Sequence, residues 1–275
     1  MTGGRGETIT TTGHAVTWRR PPLIRDRRWR WGLMAGTAVY LALAIASIEV
    51  DWSRVVDGLA RGAAFVAAFA QPDFVSRWED IVAGILESLT MTVVSTFIGI
   101  LLSIPVGLGA ARNVSAWPVY MFCRGMIAVS RTFQEVIIAI LFVAMFGFGP
   151  LAGVVTLAFA TIGFMAKLLA EDIESIDWRQ VEAVRATGAG WWQLMNHAVQ
   201  PQVTPRLLGL SLYRLDINFR ESAVIGIVGA GGIGATLNTA IDRYEYGSAA
   251  AILLVIIAIV MVTEYASSHA RRFLQ

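Results

Sequence analysis

The chain has 275 residues, 56% hydrophobic and only 15% charged, where a soluble domain carries about 25% charge. The deficit sits in long charge-poor stretches that match the roughly 20 apolar residues of a membrane-crossing helix and are far longer than the ~10-residue alternating strands of a membrane β-barrel. A net charge of +2 says little about partners, while the single cysteine, Cys123, excludes an intramolecular disulfide and a cysteine metal cluster, and His14, His197 and His269 show no metal-ligand spacing.

Residues 1–30 are polar and carry seven arginines. No A-x-A-like cleavage site follows the next apolar run, so the segment reads as a cytoplasmic tail, disordered to about Trp18, and not as a signal peptide. A first span is expected over Trp31–Ile48. Between Glu49 and Asp80, Asp51, Arg54, Asp57 and Arg61 alternate with Val55, Val56, Leu59 and Phe65, the pattern of an amphipathic helix on the bilayer surface that ends near Pro72. The second span, Ile81–Leu108, carries Ser88, Thr90, Thr92, Ser95 and Thr96, and Pro105 and Gly107 should break or kink its end. A third span is expected over Val119–Phe146, a fourth over Leu151–Leu169, a fifth over Leu207–Val228 and a last over Ala249–Ala266. The count is about six, which puts both termini on one side. The excess of arginine in the N-terminal tail places them, and the long 171–206 loop, in the cytoplasm. The domains are then a tail (1–30), a first helix with its interfacial segment (31–80) and a transmembrane core (81–275).

Within the 171–206 loop, Val181, Val184, Trp191, Trp192, Leu194, Met195 and Val199 alternate with Glu182, Arg185, Gln193 and Asn196. Two short helices joined at Gly188-Ala189-Gly190 fit this pattern, with Gly188 in the left-handed conformation that ends a helix. Adjacent tryptophans leave a large apolar surface for either a protein partner or the lipid headgroups. Pro201 and Pro205 punctuate the end of the loop.

The fifth span holds Arg214, Asp216, Arg220 and Glu221, with Asn218 between them. Charges at this depth turn toward protein or water. Asp216 and Arg220 are spaced to pair along one face, and Arg214, Asn218 and Glu221 share another. These groups either knit helices together or line the route of an anion. Arg131 and Glu135 in the third span have the same spacing and the same two readings, whereas Arg124 is expected to snorkel. The cluster Gly229, Gly231, Gly232 and Gly234 imitates a dinucleotide-binding turn, but an apolar span follows it and no acidic residue stands at the required distance. In a membrane protein such glycines allow unwound backbone and close helix contact, as at a gate or outer mouth.

Glu182-Ala183, Gly188 six positions on and Pro201 nineteen positions on resemble the signature of ATP-binding-cassette importer permeases. Val184, Ala198 and Gln200 depart from it conservatively or at a helix end. With the stretches around Arg131–Pro150, Gly163-Phe164, Ser211–Ser222 and Gly226–Gly234, the segment from Ile81 onward is similar to the phosphonate-transporter branch of that family. The resemblance implies an all-α, methionine-permease-like fold with about six transmembrane helices. It implies a homodimer in the bacterial inner membrane that moves phosphonate, or a relative such as phosphite or phosphate, by alternating access. The partners implied are two ATPase subunits, docked on Glu182, Ala183, Arg185, Gly188, Trp191, Trp192 and Pro201, and an extracytoplasmic solute-binding protein. ATP and magnesium would bind on the ATPase. The chain itself lacks a G-x-x-x-x-G-K run, since its only lysine, Lys167, is followed by leucine. No nucleophile–base pair or resident cofactor is expected, and no nucleic-acid partner. The alternatives are an importer permease for another solute such as methionine, or a secondary transporter working alone, for which no internal repeat is found.

Overall fold

A computed structural model describes residues 26–47 and 51–274. The tail expected over 1–30 therefore lies outside the described residues as far as residue 25, His14 included. The chain divides into two compact units between Leu59 and Ala60. In the first, α1 (Arg27–Ala46) starts at Asp26, whose carboxylate accepts the Arg28 N–H at 3.0 Å. None of its residues is buried within the chain. Asp51 similarly accepts from the Ser53 and Arg54 N–H groups before α2 (Trp52–Ala68), satisfying donors that a helix start leaves free. This helix ends at Ala68, ahead of Pro72, where the proline was expected to stop it.

The second unit is built around α3 (Trp78–Gly109) and α6 (Pro150–Glu174). Gly99 and Gly107 of α3 face Thr161 and Leu169 of α6 so closely that a Cβ would overlap them, and small residues are what allow such approach between apolar helices. Helix α6 also packs on α4 (Trp117–Thr132), α5 (Glu135–Phe146) and α9 (Gln200–Gly226). Short α7 (Trp178–Ala186) and α8 (Trp191–Leu194) join α6 to α9, and α10 (Ile233–Asp242) and α11 (Tyr246–Leu274) complete the chain. One apolar cluster, with Ala110, Cys123, Ile127, Leu169, Ile173, Val181, Leu194 and Val199, fastens the short helices to the ends of α3 and α6. Another, with Ile81, Ile233, Leu237 and Ile252, closes the opposite end of α3, ~48 Å away at 1.5 Å per residue.

Four helices, α1, α3, α6 and α11, are long and apolar enough to cross a membrane. The segment expected as a straight third span is instead two helices, α4 and α5, bent by 95°. Phe133 and Gln134 adopt extended backbone between them. Helix α9 has the length of a span but carries too many charges to be recognised by composition alone. Counting the bent pair once, and α9, gives the six segments read from the sequence. Pro105 does not break α3, which runs on to Gly109; the helix past the proline is held by the tight contacts of Gly107 with Leu169 of α6.

Candidate functional site

The linking helices form the first part of the site. Asp177 caps α7 by accepting the Arg179 N–H at 3.0 Å, and Gly188 follows α7 with φ +83°. That is the left-handed geometry expected from the sequence, with the Gly188 N–H bonded to the Arg185 carbonyl at 3.0 Å. Val181 is buried in the apolar cluster beneath, which turns Glu182, Ala183 and Arg185 outward. Gly188, Trp191, Trp192 and Pro201 are exposed as well, Trp192 to 74%, and the two indoles meet edge to face at 4.7 Å. Gln202 binds the element from inside, accepting the Asp177 N–H at 2.9 Å and donating to the Ala198 carbonyl at 2.7 Å. The sequence offered Gln202 only as the neighbour of Pro201 in the family-like stretch, with no sign of this bonding role.

The second short helix is not a separate element. Met195–Val199 form a π-helical turn, and the Gln200 N–H bonds back to the Met195 carbonyl. Helical backbone therefore runs without interruption from Trp191 to Gly226. Pro201 and Pro205 do not end it. Pro201 occupies the first turn of α9, where its missing N–H is tolerated, and the wide turn before it absorbs the mismatch.

The second part of the site lies where α9 crosses α3, α5 and α6. Arg214 is 3% exposed. Its Nε donates to Thr161 Oγ1 at 3.0 Å and its guanidinium lies over the Phe164 ring at 5.4 Å. Asn218, fully buried one turn on, donates to Thr161 Oγ1 at 2.9 Å and to Thr96 Oγ1 at 2.7 Å. Thr161 donates in turn to the Leu157 carbonyl at 2.6 Å. This network ties α3, α6 and α9 together in an interior where an unmet polar group is costly. Thr161 was not recognised from sequence, because a threonine in an apolar helix is commonplace; only its partners distinguish it.

Glu135 approaches Arg214 Nη2 at 3.8 Å, close enough for an ion pair but too far for a hydrogen bond. Nη2 is the one buried side-chain nitrogen or oxygen without a hydrogen-bond partner among the described residues. Arg131 and Glu135 do not pair along a helix as their spacing suggested, because the chain breaks between them. Arg131 ends α4 and Glu135 begins α5, each at the helix end whose dipole suits its charge. Together with Ser130, Gln134, Phe164 and Arg214 they line a cleft of about 360 Å³. The uncapped N-terminus of α5 opens on this cleft.

Asp216 and Arg220 do pair as read, at 2.9 Å, and Thr263 of α11 donates to the other Asp216 oxygen at 3.2 Å. Glu221 is half-buried and near enough to Arg214 and Glu135 to interact electrostatically. Arg124 has protein partners for its guanidinium. It donates to Glu174 at 2.8 Å and to the Ala110 carbonyl at 2.9 Å, and so joins α4 to the ends of α3 and α6.

The glycine cluster is a tight, buried turn. Gly229, Gly231 and Gly232 have φ of +92°, +81° and +72°. The Gly232 N–H bonds to Glu87 at 3.1 Å and the Ile233 N–H to Ser88 Oγ at 2.9 Å. A Cβ on Gly234 would overlap the Ala223 carbonyl oxygen. The unwound backbone foreseen for this segment is thus packed against α3.

Known proteins match this architecture. A phosphate-import permease protein, PhnE, of Mycolicibacterium smegmatis is 39% identical over 249 residues, covering 90% of this chain, which spans about half (47%) of that protein's length. The phosphite transport system permease protein PtxC of Stutzerimonas stutzeri is 38% identical and covered to 81% in both chains. Among solved structures, the MetNI methionine ABC transporter in inward-facing conformations matches with a TM-score of 0.60 and 25% identity, over 71% of this chain and 96% of that one. A family model described as the binding-protein-dependent transport system inner membrane component matches residues 103–271. Since that model matches more than half of the chain, and PtxC is alike over four fifths of both chains, this chain belongs to the family of binding-protein-dependent transport system inner membrane components.

Proposed function

We propose that the chain is the membrane-spanning subunit of an ATP-driven importer of a phosphorus oxyanion, such as phosphonate, phosphite or phosphate. The observation that carries this reading is the unbroken helical run from Trp191 to Gly226, which has the exposed tryptophan pair at one end and Arg214 and Asn218 buried further along it. An ATPase bound to Glu182, Ala183, Arg185, Trp191, Trp192 and Pro201 would move this rod directly, and closure on ATP and magnesium would reach the cleft without crossing a flexible joint. Gly188 sets the angle between α7 and α8. The oxyanion assignment is supported by the phosphate and phosphite permeases among the relatives and by a guanidinium with an unused donor in the cleft.

A second copy of the chain supplies the other wall of the pathway. Arg131 on α4 and Arg220 on α9 are exposed on the surface of the chain; charges at membrane depth need protein or water beside them. Both termini and the docking helices face the cytoplasm, following the arginine bias of the tail. A solute-binding protein delivers cargo at the other face, and Gly229, Gly231, Gly232 and Gly234 form a rigid stop at that end of α9 that limits its travel.

The test is growth on a phosphonate, phosphite or phosphate as sole phosphorus source, in cells lacking other uptake routes, with and without this chain and its ATPase. Growth should require both. Normal growth without the chain overturns the reading, and uptake of methionine in the same cells would reassign the cargo.

A further inference from the structure

We propose that Glu135 is an internal surrogate for the transported anion: its carboxylate occupies the cationic corner of the cleft when no cargo is present, and the incoming oxyanion displaces it from Arg214. The inference rests on the oxyanion import proposed above. Three features of the cleft converge on it. Arg214 is immobilised on two sides, by Thr161 at Nε and by the Phe164 ring at its face. Its Nη2 is buried with no hydrogen bond, although a carboxylate stands 3.8 Å away. And that carboxylate belongs to the first residue of α5, at an uncapped helix N-terminus, a place that attracts anions through free N–H groups and the helix dipole.

The Glu135 carboxylate therefore answers two attractions and fully satisfies neither. Tethered by its own backbone at the helix start, it holds its oxygen beyond hydrogen-bond distance of Nη2. A free tetrahedral oxyanion is not tethered. It offers at least three acceptor oxygens, enough to bond Nη2 and the α5 N-terminus together. Glu135 is 29% exposed and so has room to move aside. Arg131, which lines the same cleft, is a partner for it once displaced.

Charge balance gives the arrangement its use. Arg131 and Arg214 are matched by Glu135 and Glu221 around the cleft. Without cargo the corner is neutral and holds no anion firmly. With cargo, the displaced carboxylate remains nearby and competes to return, which speeds release. A transport site must bind strongly enough to admit and weakly enough to let go, and a built-in competitor sets that balance.

The experiment uses the assembled complex of this chain with its ATPase subunits, without the binding protein, and measures equilibrium binding of radiolabelled inorganic phosphate and of methylphosphonate. Glu135→Gln removes the competing charge and should tighten binding about tenfold or more, given the strength of charge interactions at this separation, while slowing ATP-driven uptake in vesicles. Arg214→Gln should abolish binding in both backgrounds. If Glu135→Gln binds no more tightly than the wild type while Arg214→Gln loses transport, the surrogate role is overturned and the import reading stands. If Arg214→Gln transports normally, the cleft is not the route and the surrogate role falls, while the import reading falls only if cells lacking the chain take up the oxyanion as well. Should Glu135→Gln fail to assemble, Glu135→Asp draws the carboxylate back from Arg214 by one methylene; tighter binding there supports the proposal and unchanged binding overturns it.

Discussion

Two arginines on one helix, one turn and a half apart, are treated in opposite ways. Arg220 pairs within α9 with Asp216 at 2.9 Å, and Thr263 satisfies the second oxygen of that carboxylate. Arg214 is almost wholly buried, pairs loosely with another helix at 3.8 Å and leaves a donor unused. A satisfied pair resists change, since any new partner must first break a hydrogen bond. An unsatisfied one gains from a new partner. One pair is therefore closed within α9 and against α11, while the other leaves a buried donor open beside a cleft, the difference on which the proposed ligand exchange rests.

Arg214→Ala gives the sharpest test of that contrast. It should lower transport by about a hundredfold or more, as expected when one partner of a buried charge pair is removed, while the complex still assembles. Loss of assembly in place of transport would make the two faces alike. For the other face, Arg220→Gln should reduce the thermal stability of the complex by roughly 3 kcal/mol, because Asp216 is left buried and unpaired. The double variant Asp216→Asn/Arg220→Gln should recover most of it in a double-mutant cycle. If it does not, the pair contributes more than charge balance.

Further from the cleft, Gly188→Ala places a side chain at φ +83°, a strain of about 1–2 kcal/mol. There is open space around that Cβ, so insertion should persist, while stimulation of the ATPase by loaded binding protein should fall severalfold. Coupling that stays at wild-type strength would detach the linker from the ATPase.

The smallest effect concerns an ion pair outside the spans. Arg77 binds Glu245 and, at 3.1 Å, Asp80. The Arg77 hydrogen bond lowers the Glu245 pKa below the usual 4.5. A carboxylate lowered in the folded state stabilises above its unfolded pKa, and that contribution is lost as pH falls through the folded value. Thermal stability should therefore drop more below pH 4.5 in the wild type than in Glu245→Gln; parallel curves would show that this half-buried pair does not matter.

Much of the linker was legible in advance because its logic is local. Gly188 and the exposed tryptophan pair follow from neighbours a turn or two away, whereas the burial of Val181 was not separated from them in the pattern. The break after Thr132 was harder to see: no proline or glycine marks it, and Arg131 and Glu135 imitate a helical pair. The signal was there in another form, a basic residue ending one helix and an acidic one opening the next. Similarly, the prolines at 201 and 205 suggested an end that a π-helical turn removes.

By itself the sequence determined the all-helical membrane class, the position and helical character of the linker and the Asp216–Arg220 pair, because apolar length and helical spacing act over a few residues. Only the tertiary structure decided that Asn218 meets Thr96, 122 positions away, that Arg214 rests on Thr161 and that Glu135 stops short of Nη2. Those contacts depend on how four helices cross, and helix crossings are set by the packing of whole faces, which no local pattern encodes.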